Sequence, residues 1–217
     1  MKKLFAIICS VFFIYAAPVS AEIAVGITAN FAELDTSGSE TELTGDAEVN
    51  SASITENVVV PEIFVETVNE NGLAIGLAYI PSRDLGRKSR TDTQPTGDDD
   101  SDNGDYIADA ELKDVIQVYT DIPVGPVYAK LGYSRANLKT NEVSVSGTTY
   151  ENQHVNGFTV GVGYRGDSIP MMGTGFYKVE ATYTDFDEYS KDSSNGTKRV
   201  KADTEVTSLK ISVGTTF

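Results

Sequence analysis

An acidic run at positions 98–105 is the segment whose composition comes nearest to metal-binding chemistry. A calcium loop of the EF-hand type needs oxygen ligands at positions one, three and five, glycine at six and glutamate at twelve. Counting from Asp99 puts Ala110 at the twelfth position, and counting from Asp98 puts Asn103 at the sixth. Because neither register fits, we expect a solvated loop that at most bridges divalent cations loosely to an anionic lipid, with no dedicated metal site and no cofactor. Four basic residues nearby could meet lipid phosphates directly: Arg83, Arg87, Lys88 and Arg90.

The chain has one histidine, His154, and this residue is the natural candidate for a general base. Nucleophilic catalysis would require a nucleophile within hydrogen-bond reach of it. Val155 and Asn156 follow it, and no serine lies close on the same face, although a neighbouring strand could supply one. We expect a solvated histidine, no catalytic residue and no enzymatic activity.

Six charged residues fall on the polar face of segments in which polar and apolar residues alternate. They comprise three acids and three bases: Glu62, Glu66, Glu180, Lys130, Lys178 and Lys210. Glycines recur on the same face, for example Gly76 and Gly163. Opposite charges can pair so that no buried ion is uncompensated, and small residues fit the narrow interior of an eight-stranded barrel. The pattern favours an interior location for this face.

Alternation with a period of two is regular in six segments and less regular in two more, near 58–67 and 112–122, and together they predict eight β-strands. The segments lie near 23–31, 58–67, 72–80, 112–122, 127–134, 157–164, 177–184 and 207–217. Short links at 69–72, 123–126 and 166–173 alternate with long polar links at roughly 35–57, 83–107, 138–153 and 186–202. An even strand number, with short turns at one end and long loops at the other, is typical of an up-and-down transmembrane β-barrel.

Residues 1–21 have the pattern of a cleaved secretory signal peptide, with Lys2 and Lys3 before an apolar run and small residues ending at Ala21. Cys9 could be a lipoprotein acylation site, but the apolar run continues past it, so we expect it to be removed with the peptide. Residues 22–217 would then form one domain without cysteine or disulfides. The formal charge of −15 argues against a nucleic-acid partner.

Three features predict that the apolar face points to lipid. The charged and glycine-rich face suits an interior, and aromatic residues lie near the strand ends as in an interfacial girdle. These aromatic residues are Tyr79, Tyr133, Tyr164, Tyr183 and Phe217. The third feature is that the chain stops at Phe217 while the strand still alternates. A secreted lipocalin-like barrel is the alternative, with its apolar face inward around a ligand.

The strands, the loop asymmetry and the terminal Phe217 resemble the small outer-membrane barrels of the OmpA and OmpX kind. The likeness covers essentially all of residues 22–217. It implies a charged, hydrogen-bonded interior, and it implies that Phe217, with Val213 and Ile211 on the same face, is a signal for the barrel-assembly machinery. Since no periplasmic peptidoglycan-binding domain follows Phe217, the barrel-only OmpX-like form fits better.

We therefore predict an integral protein of the bacterial outer membrane with a structural or surface role. It would be a monomer in contact with membrane lipid and lipopolysaccharide, with four long acidic loops outside. Side chains would fill its narrow lumen, so it would not be an open porin. Two alternatives stay open: a surface adhesin that binds extracellular ligands through its loops, and a soluble secreted β-barrel that binds a ligand.

Overall fold

The computed structural model describes residues 21–43, 49–92, 104–143, 149–167 and 174–217. The predicted signal peptide with Cys9 and most of the acidic run 98–105 lie outside these residues. In the described part every regular element is a β-strand: Ala21–Glu42 (β1), Val49–Asn69 (β2), Ala74–Ile80 (β3), Arg83–Asp92 (β4), Gly104–Val124 (β5), Val127–Val143 (β6), Gln153–Gly166 (β7), Gly175–Phe186 (β8), Tyr189–Asp192 (β9) and Lys198–Thr216 (β10).

The strands form an antiparallel ring with eight positions. The order is β1-β2-β3-β5-β6-β7-β8-β10, and pairing of β10 with β1 closes the ring. Strand β4 follows β3 at the same position and pairs with β5, and the short β9 pairs with the far part of β10. The predicted fold class is confirmed. The part of the chain that the structure describes has no helix long and apolar enough to cross a membrane.

Tight turns close one end of the ring, as the sequence predicts. At the β2–β3 turn, Asn69 Oδ1 accepts hydrogen bonds from the backbone N–H groups of Asn71 at 3.0 Å and Leu73 at 2.9 Å. Gly72 has a φ of 80° and Gly125, in the β5–β6 turn, a φ of 64°, both in the left-handed region that favours glycine. We refer to this end of the barrel as the short-turn end.

At the opposite end, the prediction of four long loops is wrong for most of the residues involved. Strands β1 and β2 stay paired as far as Thr41 and Val49, and β1 stays paired with β10 as far as Glu42 and Lys198. Serine and threonine on both faces of these segments hide the alternation from sequence analysis, yet threonine and valine suit extended backbone. The barrel wall therefore continues well beyond the apolar segments.

One side of this extended wall lacks backbone pairing. Residues 63–68 of β2 pair with β3, but residues 49–62 have no ladder with β4, which pairs only with β5. The side chains of Ile54 and Glu56 cross the gap, and a Cβ at Gly86 would lie 2.5 Å from Ile54 Cδ1. We call this gap between β2 and β4 the seam.

Alternation sorts the side chains as predicted along the apolar segments. Val25, Ile27, Val160 and Ile211 are exposed on the outer surface of the ring, between 39% and 61%. Their neighbours Ala24, Thr28, Thr159 and Lys210 point inward and are buried. The inward face is polar near the short-turn end and becomes apolar toward the other end.

Candidate functional site

The inward face near the short-turn end holds six charged side chains of alternating sign in one series. In order they are Arg165, Glu66, Lys178, Asp121, Lys130 and Glu180, and we call them the ionic chain. Arg165 lies 2.8 Å from Glu66 Oε1, and Lys178 Nζ lies 3.0 Å from Glu66 Oε2 and 2.5 Å from Asp121 Oδ2. The series crosses the lumen from β7 to β2, β8, β5 and β6, so it ties together strands that are not neighbours in the ring.

The last links of the ionic chain are contact ion pairs. Lys130 Nζ lies 3.0 Å from Asp121 Oδ1 and 2.9 Å from Glu180 Oε1. Both distances suit charge-assisted contacts between an ammonium and a carboxylate group. Lys130 Nζ also lies 3.5 Å from the centroid of the Tyr119 ring, a cation–π distance.

Charge in the interior is balanced. The described residues include four buried acids and four buried bases, namely Glu62, Glu66, Asp121, Glu180, Arg83, Lys130, Lys178 and Lys210. All six charged residues that sequence analysis placed inside are among them. Lys210 Nζ pairs with Glu62 Oε2 at 2.8 Å. Such balance suits a dry interior, because an unpaired buried ion costs several kcal/mol, of the order of 5.

The inward glycines have a specific packing role beside these charges. Gly76 is paired across the ladder with Tyr119, and Gly163 is paired with Tyr128. A Cβ at either glycine would lie 2.3 Å from the Cζ atom of the opposing ring. Phe64 over Gly26 has the same arrangement, at 2.4 Å. Each ring therefore lies flat against bare backbone, which fills the lumen without pushing neighbouring strands apart.

A hydrogen-bonded layer lies next to the ionic chain. Gln117 Nε2 donates to Ser134 Oγ at 2.9 Å and to Thr159 Oγ1 at 2.8 Å, and the Thr159 hydroxyl pairs with that of Thr184 at 2.8 Å. Four strands, β5 to β8, are joined by these contacts between neutral groups.

Beyond this layer the interior becomes apolar, which sequence analysis missed. Thirteen buried residues form one cluster, which we call the apolar plug: Ala32, Leu34, Val60, Ile80, Leu85, Leu112, Val115, Ala136, Leu138, Val155, Phe186, Tyr189 and Val206. Leu34, Leu85 and Leu112 are at most 2% exposed. Continuing the inward parity along β1 and β6 finds Leu34 and Leu138, but on β5 a register shift between Lys113 and Ile116 reverses the parity before Leu112.

The structure separates the four basic residues expected to meet phosphates. Arg83 points inward and is 7% exposed, because the inward parity switches from even to odd positions at the break between β3 and β4, whereas Arg87 and Lys88 are exposed. The Nε and Nη1 atoms of Arg83 have no hydrogen-bond partner among the described residues. The side chain of Arg90 is outside the description.

His154 lies exposed on the outer face of β7, where it pairs across the ladder with Asn137. The described residues contain no group of three or more histidine, cysteine, aspartate or glutamate side chains arranged to hold a metal ion. In the ionic chain every carboxylate already faces a cation. These contacts provide packing and charge compensation.

No protein-family profile and no curated protein matches the chain. Among solved structures, the chain is similar to the outer membrane protease OmpT of Escherichia coli, with 12% identity, a TM-score of 0.44 and coverage of 94% of this chain and 99% of that one. It is also similar to the outer membrane protein OprG of Pseudomonas aeruginosa, with 13% identity, a TM-score of 0.47 and coverage of 92% and 97%. For the outer membrane protein AlkL, the identity is 12%, the TM-score 0.47 and the coverage 93% and 92%.

All three are outer-membrane proteins.

Proposed function

We propose that this protein is an integral barrel of the bacterial outer membrane with a structural and surface role. The observation that carries the proposal is a continuous band of exposed apolar side chains around the ring. Seven of the eight positions are represented by Ile27, Val65, Leu77, Val118, Val160, Val179 and Ile211, each at least 39% exposed. An apolar surface of this extent is stable against acyl chains and unfavourable against water.

Aromatic residues border this band at both ends. Tyr79, Tyr133, Phe158 and Tyr183 are exposed at the end far from the short turns. Tyr164, Tyr177 and Phe217 are exposed near the short-turn end, where the rings of Tyr164 and Tyr177 are 6.1 Å apart. Amphipathic rings are favoured at headgroup level, so the two groups would mark the two interfaces. The short-turn end would then face the periplasm, and the extended wall would stand outside the cell.

We propose further that the lumen does not conduct freely. The ionic chain and the apolar plug are stacked along the barrel axis, and each would obstruct a water-filled path. We also propose that the protein is a monomer. Phe217 would be available to the assembly machinery, since this residue is 79% exposed. The exposed Arg87 would contact lipopolysaccharide phosphates.

Membrane fractionation with an unheated gel tests the proposal. We expect the protein to sediment with outer membranes, to need detergent for extraction, and to migrate differently before and after boiling. A protein that stays in solution without detergent would support the secreted barrel instead.

Site-directed spin labels give the orientation of the two faces. A label on Val160, which is 41% exposed, should be quenched by lipid-soluble reagents. A label on Thr159, which is fully buried, should be shielded from them. The opposite result would mean that the apolar face points inward.

A further inference from the structure

The extended part of the barrel encloses a cavity of about 630 Å³, which we call the outer cavity. Its walls come from β1, β2, β4, β5, β6 and β10, beyond the level of the apolar band. The volume lies within the range of about 300–1,000 Å³ that is usual for small-molecule sites.

The floor of the outer cavity is closed by the apolar plug. Leu85, Leu138 and Tyr189 belong to the plug and also line the cavity. Since the ionic chain lies below the plug, the cavity is blind in that direction. A blind cavity suits retention of a molecule rather than passage through the barrel.

The lining combines an apolar body with neutral polar groups. Ile54 and Val200 add apolar side chains above the floor, and hydroxyl groups come from Thr36, Thr140 and Thr204. Convergence of a few polar groups on an apolar surface is the usual composition of a ligand site.

Charges in the lining are compensated within the protein. Lys198 Nζ lies 2.9 Å from Glu40 Oε1, and Lys201 Nζ lies 2.9 Å from Glu188 Oε1. The two charged lining residues outside these pairs, Lys88 and Asp109, have opposite signs. When Glu188 is counted beside its partner Lys201, three bases and three acids surround the cavity, so no excess charge favours an ionic ligand.

The seam gives the outer cavity a side wall of unusual structure. Residues 50–54 of β2 contribute atoms to the lining, at the edge of β2 that has no ladder with β4. Gly86 and Ser89 line it from β4. The cavity thus reaches into the seam, above the membrane band.

We propose that the outer cavity binds a small uncharged molecule with an apolar body and a hydroxyl or similar polar group. The site itself follows from the cavity, and only its location on the cell exterior rests on the proposed membrane function. The apolar body would lie on Leu85 and Leu138, and the polar group would meet the hydroxyls of the wall.

Protection of an introduced cysteine tests this proposal in outer-membrane vesicles. Since residues 22–217 have no cysteine, Ala110→Cys would place a single thiol in the cavity lining. The probe is 1-octanol, present during labelling with a membrane-impermeant maleimide. At about ten times its half-protecting concentration it should slow labelling about ten-fold. Octanoate and octylammonium at the same concentration should protect less.

Ser37→Cys is the matched control, because Ser37 is exposed on the outer surface of β1 and pairs with Ser53 of the lining strand. Octanol should leave its labelling rate unchanged. Equal slowing at both cysteines, no slowing at Ala110→Cys, or equal protection by octanoate would overturn the proposal. A gel shift on boiling verifies the barrel independently, so a failed cavity is distinguished from a failed membrane assignment. If Ala110→Cys loses the shift, Thr140→Cys replaces it.

Discussion

The two halves of the lumen are filled by side chains of different chemistry. Near the short turns, aromatic rings on glycine and a series of alternating charges fill the interior. Farther out, the apolar plug fills it with leucine, valine and aromatic side chains. The first half depends on each ion having its partner, whereas the second depends on volume alone. Substitutions that act through charge and substitutions that act through volume should therefore have separable effects in the two halves.

Removal of one charge from the ionic chain should have the largest effect. Lys178→Met leaves Glu66 and Asp121 each without its nearest ammonium, and we expect a loss of about 3–5 kcal/mol in the free energy of unfolding. Urea titration of protein refolded into lipid vesicles measures it. The control is Lys201→Met, which breaks an ion pair that is about half exposed and should cost no more than about 1 kcal/mol. Equal losses for the two variants would mean that burial of the ionic chain contributes nothing.

Truncation in the apolar plug should come next. Leu112 is 1% exposed, and Leu112→Ala should cost about 2–5 kcal/mol through lost transfer energy and the cavity that it leaves. The same urea titration measures it, with no change in the charge balance. Leu43→Ala, at an exposed residue beyond β1, should stay within about 0.5 kcal/mol. A loss of less than about 1 kcal/mol in the free energy of unfolding of Leu112→Ala, below the usual range for such truncations, would show that the apolar plug is loosely packed.

Glycine-to-alanine variants test the contact between ring and backbone. Gly76→Ala puts a methyl group against the Tyr119 ring and should cost about 1–3 kcal/mol by overpacking. In Gly38→Ala the added Cβ meets its nearest atom, the Lys201 carbonyl oxygen, at 3.3 Å, so the cost should be smaller. The thermal midpoint of gel-shift loss compares the two variants. Equal midpoints would contradict the proposed packing role of Gly76.

The smallest effect concerns a solvent-exposed pair on the extended wall. Arg199 Nε donates to Asp192 Oδ1 at 2.6 Å, and this hydrogen bond lowers the pKa of Asp192 below its usual value. A lowered carboxyl pKa stabilises the β9–β10 pairing above the unfolded pKa, and the effect is lost as the pH falls through the folded value. NMR titration of Asp192 should show a higher midpoint in Arg199→Gln than in the parent. An unchanged midpoint would mean that the pair does not persist in solution.

Sequence patterns predicted the parity of the eight apolar segments and the burial of Glu62, Glu66, Lys130, Lys178, Glu180 and Lys210. That success has a physical cause, because lipid on one side and a packed lumen on the other enforce a clear alternation. The extended wall has water on its outer side, so Ser37, Ser53 and their neighbours can be polar on both faces and no alternation appears. Leu85 therefore looked like an isolated apolar residue in a loop, as did Leu138. The break between β3 and β4 and the inward position of Arg83 depend on tertiary strand pairing, which an alternating sequence pattern does not encode.

The seam has a consequence for the dynamics of the backbone. In an antiparallel strand, successive amide groups point to opposite neighbours. Residues 49–62 of β2 have a hydrogen-bonding neighbour on the β1 side alone, so every second N–H along this stretch lacks a strand partner. Deuterium uptake should therefore alternate between successive residues of β2. The alternation should end at Ile63, where pairing with β3 begins. This stretch of β2 would thus be protected from exchange by one neighbouring strand only. Its local opening requires fewer broken backbone hydrogen bonds than opening elsewhere along β2.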